Sequence, residues 1–276
     1  PSGKVSTLQE KQLTTLGSNI TALEVKGTFD DCQRMVKEAF LDKELNEKLN
    51  LSSANSINIA RLIPQSFYYF YAYSRLKSYN LPLVFSVPSG NFGNLSAGLI
   101  AKKMGLPVHR FVASTNVNDI IPKYLLSGKY EPRASIRTLS NAMDVGNPSN
   151  YARIVALFDN DLSEIRKNIQ GYSFTDEETR GAMRKILDQA NYIMCPHTAV
   201  AYLGLKNYQQ EDNTEFTGVF LSTAHPAKFL DVLDEDIAKQ VELPESLKVL
   251  VDRPKQSIPM VSSLSSLKAF LLNKSA

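Results

Sequence analysis

The sequence predicts an α/β protein built on a mainly parallel open sheet, and three observations predict it. Short, largely apolar runs such as "LPLVFSV" (81–87) alternate with stretches of helical periodicity. Runs of that kind are strands covered on both faces, as in parallel sheets. The passage 81–115, strand, glycine loop, helix, strand, reads as a βαβ unit. Three strand-like runs end in loops rich in hydroxyls and amides: "PSGNFGN" (88–94), "STNVND" (114–119) and "STAHP" (222–226). Open parallel sheets bind ligands beyond the carboxyl ends of their strands, where these three loops fall together.

The elements follow in order. "TALEVKG" (21–27) alternates apolar and polar residues and predicts a strand. Over 28–50, Cys32, Met35, Val36, Ala39 and Phe40 recur at helical spacing, with Thr28 or Asp30 as N-cap. A Ser/Asn-rich loop, "LSSANS", runs into a long aromatic-rich helix over 59–79; Pro64 falls in its first turns, where a missing N–H does little harm. After "PSGNFGN" a helix over 95–104 ends at Gly105, and "LPVHRFVAST" is the next strand. Helices are predicted over 119–127, 150–168 and 176–188, then a strand at "ANYIMC", a helix at "PHTAVAYLGLKNY", a strand at "FTGVFLST" and a helix at "PAKFLDVLDEDIAKQV". The tail is irregular and then helical.

Composition narrows the function. A chain of 276 residues with 43% apolar content supports a real core. The net charge is +3, the signs are interspersed, and the longest same-sign cluster is the triplet Asp234–Asp236. Nothing there points to nucleic acid or a membrane surface. No apolar stretch approaches the roughly 20 residues of a membrane span. The polar start "PSGKVSTLQEKQ" does not resemble a signal peptide and carries no initiator Met. Two cysteines without a CxxC suit a reducing compartment, so a cytoplasmic location is expected.

The loops carry the chemistry. Gly90 and Gly93 allow backbone N–H groups close to a ligand, and a helix N-terminus adds partial positive charge. No Lys-Ser/Thr follows, which excludes the nucleotide P-loop, and the spacing is not GxGxxG. Two readings stay open: a tight turn with Asn caps, or a phosphate cradle without a side-chain cation. Thr223 and His225 stand at a strand end before Pro226, where an N-cap alone would explain them. His197 reads as a helix-start residue and Cys195 as a small buried apolar group. Without HExxH, HxxxH or GxSxG, metal and serine-hydrolase readings have little support. Ser53, Asn55 and Ser56 either cap the following helix or face a ligand, with Arg61 in reach of an anion.

Taken together, "SANSINIARL", "VPSGNFGNLSAGLIAKKMGLPV", "STNVND", "LSNAMDVGNPSN" and "STAHPAKF" resemble, in the same order, the threonine synthases of the longer bacterial and fungal type. The resemblance implies the tryptophan-synthase-β-like fold and pyridoxal phosphate as cofactor. It also implies the conversion of O-phosphohomoserine and water to threonine and phosphate. By resemblance, Ser89, Gly90, Asn91, Phe92, Gly93 and Asn94 hold the cofactor phosphate and Thr223 bonds the pyridine nitrogen. Ser53, Asn55, Ser56 and Arg61 stand at the substrate end. The family's "FKD"-like lysine motif and "SGDTG"-like loop do not occur in these residues. The expectation is therefore a C-terminal fragment with no catalytic residue of its own, inactive alone. Its residues 1–80 would be the remainder of a partial smaller α/β domain, 81–240 the large cofactor domain and 241–276 a tail packed on it. The strand edge at 21–27 would lie open, making self-association the one macromolecular contact allowed. The rival expectations are an unrelated, non-catalytic α/β protein holding a phosphate-bearing ligand through "SGNFGN", and a degenerate relative acting by binding.

Overall fold

The computed structural model describes residue 3 and residues 5–274. In chain order these form α1 (Thr7–Thr14), β1 (Ala22–Lys26), α2 (Phe29–Leu41), α3 (Lys43–Lys48), α4 (Ile59–Leu76), β2 (Leu83–Pro88), α5 (Gly93–Lys103), β3 (Arg110–Thr115), α6 (Ile120–Ser127) and α7 (Tyr151–Leu157). Then come α8 (Leu162–Asn168), β4 (Ile169–Ser173), α9 (Asp176–Ala190), α10 (Pro196–Glu211), β5 (Thr217–Phe220), α11 (Glu235–Ala238), α12 (Glu245–Val251), β6 (Ser257–Val261) and α13 (Leu264–Lys274). They divide into two compact units, residues 53–226 and residues 1–52 with 227–276. No helix among the described residues is long and apolar enough to cross a membrane.

The 53–226 unit is built on a parallel sheet of order β4-β3-β2-β5. All six residues of β2 are buried, as expected of a strand covered on both faces. On one face Phe85 and Phe111 pack with Tyr69 of α4, the Tyr69 ring lying edge-on to both at centroid distances of 4.9 and 5.9 Å. On the other face Val84 and Val112 meet Tyr208 of α10. Two buried serines sit under α10. Ser86 Oγ donates to the Ala201 carbonyl at 2.6 Å and lies 2.9 Å from Ser114 Oγ. The helix comes this close because residue 204 is glycine: a Cβ there would stand 1.9 Å from Ser114 Oγ.

The second unit explains a strand that the sequence left without a partner. β1 pairs in parallel with β6, Val25 opposite Met260, and α2 and α13 cover the pair through Met35, Cys32, Leu267 and Phe270. The expected open edge at 21–27 is thus filled by "SIPMV" from the tail. Residues 1–80 do not form one domain: 1–52 build a unit with 227–276, while α4 buries Leu62, Ser66 and Tyr69 in the 53–226 unit.

Other expectations fail for local reasons. The helix over 28–50 breaks at Asp42, whose carboxylate caps α3 through the Leu45 N–H (2.9 Å) and takes the Lys268 ammonium at 2.8 Å. The helix over 150–168 breaks where Asp159 and Asn160 adopt left-handed backbone, φ 52° and 61°. "ANYIMC" forms no strand: Asn191 ends α9 in the left-handed conformation and Met194 and Cys195 are buried ahead of α10. The sheet edge is instead β4, "IQGYS", a run too polar to announce itself. The stretch 226–241 is a short turn of helix at Pro226–Phe229 followed by α11.

Gly204→Ala should destabilise the 53–226 unit by about 1–3 kcal/mol, because overpacking against Ser114 outweighs the helix propensity gained. Urea unfolding should show it, and adding Ser114→Gly should recover part of the loss.

Candidate functional site

The loop after β2 turns on residue types that expose backbone. The Ser89 N–H donates to the Ser114 carbonyl (2.8 Å) and its Oγ to the Val87 carbonyl (2.9 Å), so Ser89 continues the β2–β3 ladder and is buried. Phe92, also buried, adopts φ +60° and starts α5 with no capping side chain. The first amides of a helix have no intrahelical partners. Here Gly93 and Asn94 carry two of them along the wall of a cavity of about 670 Å³. Gly90, Asn91, Phe92, Ser56, Arg61 and Thr223 line the same cavity.

Asn91 ties this wall together. Its Oδ1 accepts from the Ser149 N–H (2.7 Å) and Oγ (2.9 Å), and its Nδ2 donates to Ser56 Oγ (2.8 Å). Its carbonyl accepts from Asn150 Nδ2 at 2.8 Å. Three loops, 53–58, 88–94 and 147–150, therefore meet on one residue. Asn94 is used differently: its Oδ1 accepts from the Tyr68 and Tyr69 hydroxyls of α4, the latter at 2.7 Å. Burial pushes both phenols up from their usual range, so they stay protonated and donate.

The contacts leave no slack around the glycines. A Cβ on Gly93 would lie 2.7 Å from the Ser56 Cβ, and one on Gly90 would lie 2.5 Å from the Met143 Cα. Met143 belongs to a wall held from two sides. The Ala142 N–H donates to His197 Nε2 at 3.2 Å, which puts the neutral ring's proton on Nδ1. Burial pushes His197 down to about 4, so it is neutral at pH 7. Next to Met143, Asp144 accepts four hydrogen bonds: Asn116 Nδ2 (2.9 Å), Asn118 Nδ2 (3.2 Å), Thr138 Oγ1 (2.7 Å) and the Thr138 N–H (3.0 Å). Desolvation outweighs those bonds and pushes its carboxyl up to about 6.

At the end of β5, Ser222 Oγ lies 3.0 Å from Thr198 Oγ1, which in turn meets Cys195 Sγ at 3.2 Å. Thr223 is exposed on the cavity, and its hydroxyl has no hydrogen-bond partner among the described residues. Of the predicted residues, the structure brings together Gly90, Asn91, Phe92, Gly93, Asn94, Ser56, Arg61 and Thr223. Ser89, Ser53 and Asn55 do not line the cavity. Ser53 Oγ accepts the Asn55 N–H (3.1 Å) and Asn55 Oδ1 accepts the Ile57 N–H (3.3 Å), so these two shape the loop before α4. Gln65, Tyr68, Met143 and His197 line it unforeseen, with Ser222 from the expected 222–226 loop. Gln65 and Tyr68 follow Arg61 at i+4 and i+7, a spacing that was there to be read.

The chain matches the family model for pyridoxal-phosphate dependent enzymes over residues 2–222, and the model for the C-terminal part of threonine synthase over 198–271. It is 46% identical over 273 residues to the threonine synthase of Serratia marcescens, covering 99% of this chain and 62% of that one. The crystal structure of threonine synthase from Escherichia coli superposes with a TM-score of 0.89 at 46% identity, over 99% of this chain and 63% of that one. The pyridoxal-phosphate-bound threonine synthase from Brucella melitensis gives 0.86 at 35% identity, over 100% and 64%. The chain thus spans a little under two thirds of the length of these relatives. The matches run along nearly the whole chain, and nothing in them shows a truncated C-terminal fragment with a partial smaller domain, inactive alone, which corrects those expectations. The reading of an unrelated, non-catalytic phosphate-binding protein is corrected by the same matches.

The Asp144 carboxyl makes a signed prediction. Its folded value, about 6, lies above the unfolded 3.8, so its contribution to stability is fully present below about pH 4 and lost as pH rises through 6. Urea midpoints from pH 4 to 7 should therefore fall more steeply, or rise less, for the parent protein than for Asp144→Asn. Parallel profiles would show that Asp144 does not titrate in that window.

Proposed function

The chain belongs to the family of pyridoxal-phosphate dependent enzymes, and on that premise we propose that it carries the cofactor and substrate cleft of a threonine synthase. The reaction is that of O-phosphohomoserine with water, giving threonine and phosphate. The observation that carries this reading is the uncapped start of α5, opening on a cavity that Ser56 and Arg61 also line.

The residues present fit the cofactor. Free amides at a helix N-terminus favour a phosphate, and glycine at 90 and 93 lets Met143 and Ser56 pack directly against that backbone. When bound, pyridoxal phosphate supplies an electron sink for the negative charge left by proton loss from the amino-acid substrate. The backbone of Gly90–Asn94 would hold its phosphate. Thr223 would meet the ring nitrogen with a neutral hydroxyl, which leaves that nitrogen largely unprotonated. Ser56 and Arg61 would receive the substrate's phosphate, Arg61 steadied by donating to the Ala54 carbonyl. His197, neutral and accepting from Ala142, holds the wall that closes the cleft.

Titration with pyridoxal phosphate, followed by cofactor absorbance, tests the assignment. Gly93→Val should weaken binding by more than about tenfold, because its side chain drives into Ser56 and displaces the amides. Thr223→Ala removes one neutral hydrogen bond, worth roughly 0.5–1.5 kcal/mol, so affinity should fall no more than about tenfold while phosphate release from O-phosphohomoserine falls further. Unchanged cofactor affinity in Gly93→Val would overturn the cradle.

A further inference from the structure

We propose that Arg153 is a positioning residue whose guanidinium locks the Ser56 loop against the glycine loop, so that the two receive anions as one preorganised surface. The proposal rests on the reading of the cleft given above.

Arg153 stands on α7 and does not line the cavity. Its guanidinium reaches back across the chain to two consecutive carbonyls: Nη1 donates to Ser56 O at 2.8 Å and Nη2 to Ile57 O. Nη1 also donates to Asn150 Oδ1 at 2.5 Å, and Asn150 in turn donates to the Asn91 carbonyl. Ser56 is therefore gripped from behind by Arg153, held at its hydroxyl by Asn91, and pressed against Gly93. Ser56 is the residue at which the two loops touch. Arg153 has no carboxylate within ion-pair distance among the described residues. Its charge therefore faces only carbonyl dipoles and leaves positive potential behind a surface that takes anions.

A planar fork can span neighbouring carbonyls, and an ammonium on a flexible stem cannot. Lysine at 153 keeps the charge and loses the clamp. Loss of the clamp frees the 54–58 backbone, which must then be ordered at the moment of binding, and affinity falls accordingly.

The test uses the full chain as parent, Arg153→Lys and Arg153→Ala. Without ligand, hydrogen exchange over 54–58 should speed up in both variants while β2 and β3 stay protected. In titrations with pyridoxal phosphate both variants should bind about tenfold more weakly, the scale of hydrogen bonds to a charged group. Millimolar methylguanidinium should restore affinity to Arg153→Ala, and methylammonium should not. Parent-like exchange and affinity in Arg153→Lys would overturn the proposal. So would loss of affinity accompanied by loosening of β2 and β3 and no rescue, which would mark a merely structural arginine. If the parent itself fails to bind pyridoxal phosphate, the reading of the cleft falls, and the ligand-free exchange still decides whether Arg153 clamps the loop.

Discussion

The Asn91 carboxamide ties two other loops to its own by three hydrogen bonds, and the rest of the cleft depends on them. By joining Ser56 to Ser149 it fixes where the loop after β2 can run, and so where α5 can begin. With the loop fixed, the helix starts at a left-handed Phe92 without a cap. A helix end without a cap is a cost to stability in an ordinary protein. Here it leaves donors turned on a cavity, where the proposed cofactor's phosphate would satisfy them. Side-chain polarity shapes the wall, and the backbone is what that proposal gives to binding.

The same division runs through the second wall. Asp144 holds a half-buried carboxylate on four donors, with no cation paired to it among the described residues, and His197 is kept neutral by burial. Neither arrangement is what stability alone would select, since burying a carboxylate in this way raises its pKa instead of lowering it. Both hold the segment Ala142–Met143, and Met143 is the atom-to-atom neighbour of Gly90. The cleft is stiff because each loop is gripped by residues from two other parts of the chain, as expected where a site must be set before its ligand arrives.

Much of the fold could be read directly. The βαβ unit at 81–115 declared itself because its strands are covered on both faces and its helix opens at a glycine loop. The cap at Thr28 was legible because a capping box with Asp31 is local in sequence. Where partners are distant, the reading failed. β6 buries only Met260 and carries Pro259, so nothing in "SIPMV" signals a strand until β1 is beside it. β4 is a polar edge, and "ANYIMC" is apolar because it packs ahead of α10, not because it is extended. In the site, the structure brings the glycine loop, Ser56, Arg61 and Thr223 to one cavity and adds side-chain bonds the sequence did not show. Ser89 joins the ladder, Asn55 shapes its own loop, and the Asn91 side chain ties three loops together. His197 was read as a helix-start residue, which it is, without the cavity it faces. Arg153 offered no signal of its clamp, since the two carbonyls it holds lie 96 and 97 residues away.

The central claim is that the backbone amides at the start of α5 receive a phosphate on a surface the protein builds in advance. Amide correlation spectra of the labelled chain, titrated with pyridoxal phosphate, test it most directly. The Gly90, Asn91, Gly93 and Asn94 amide signals should move most and saturate together, while those of β1 and β6 stay still. Saturable shifts centred elsewhere, with those four amides unmoved, would contradict it.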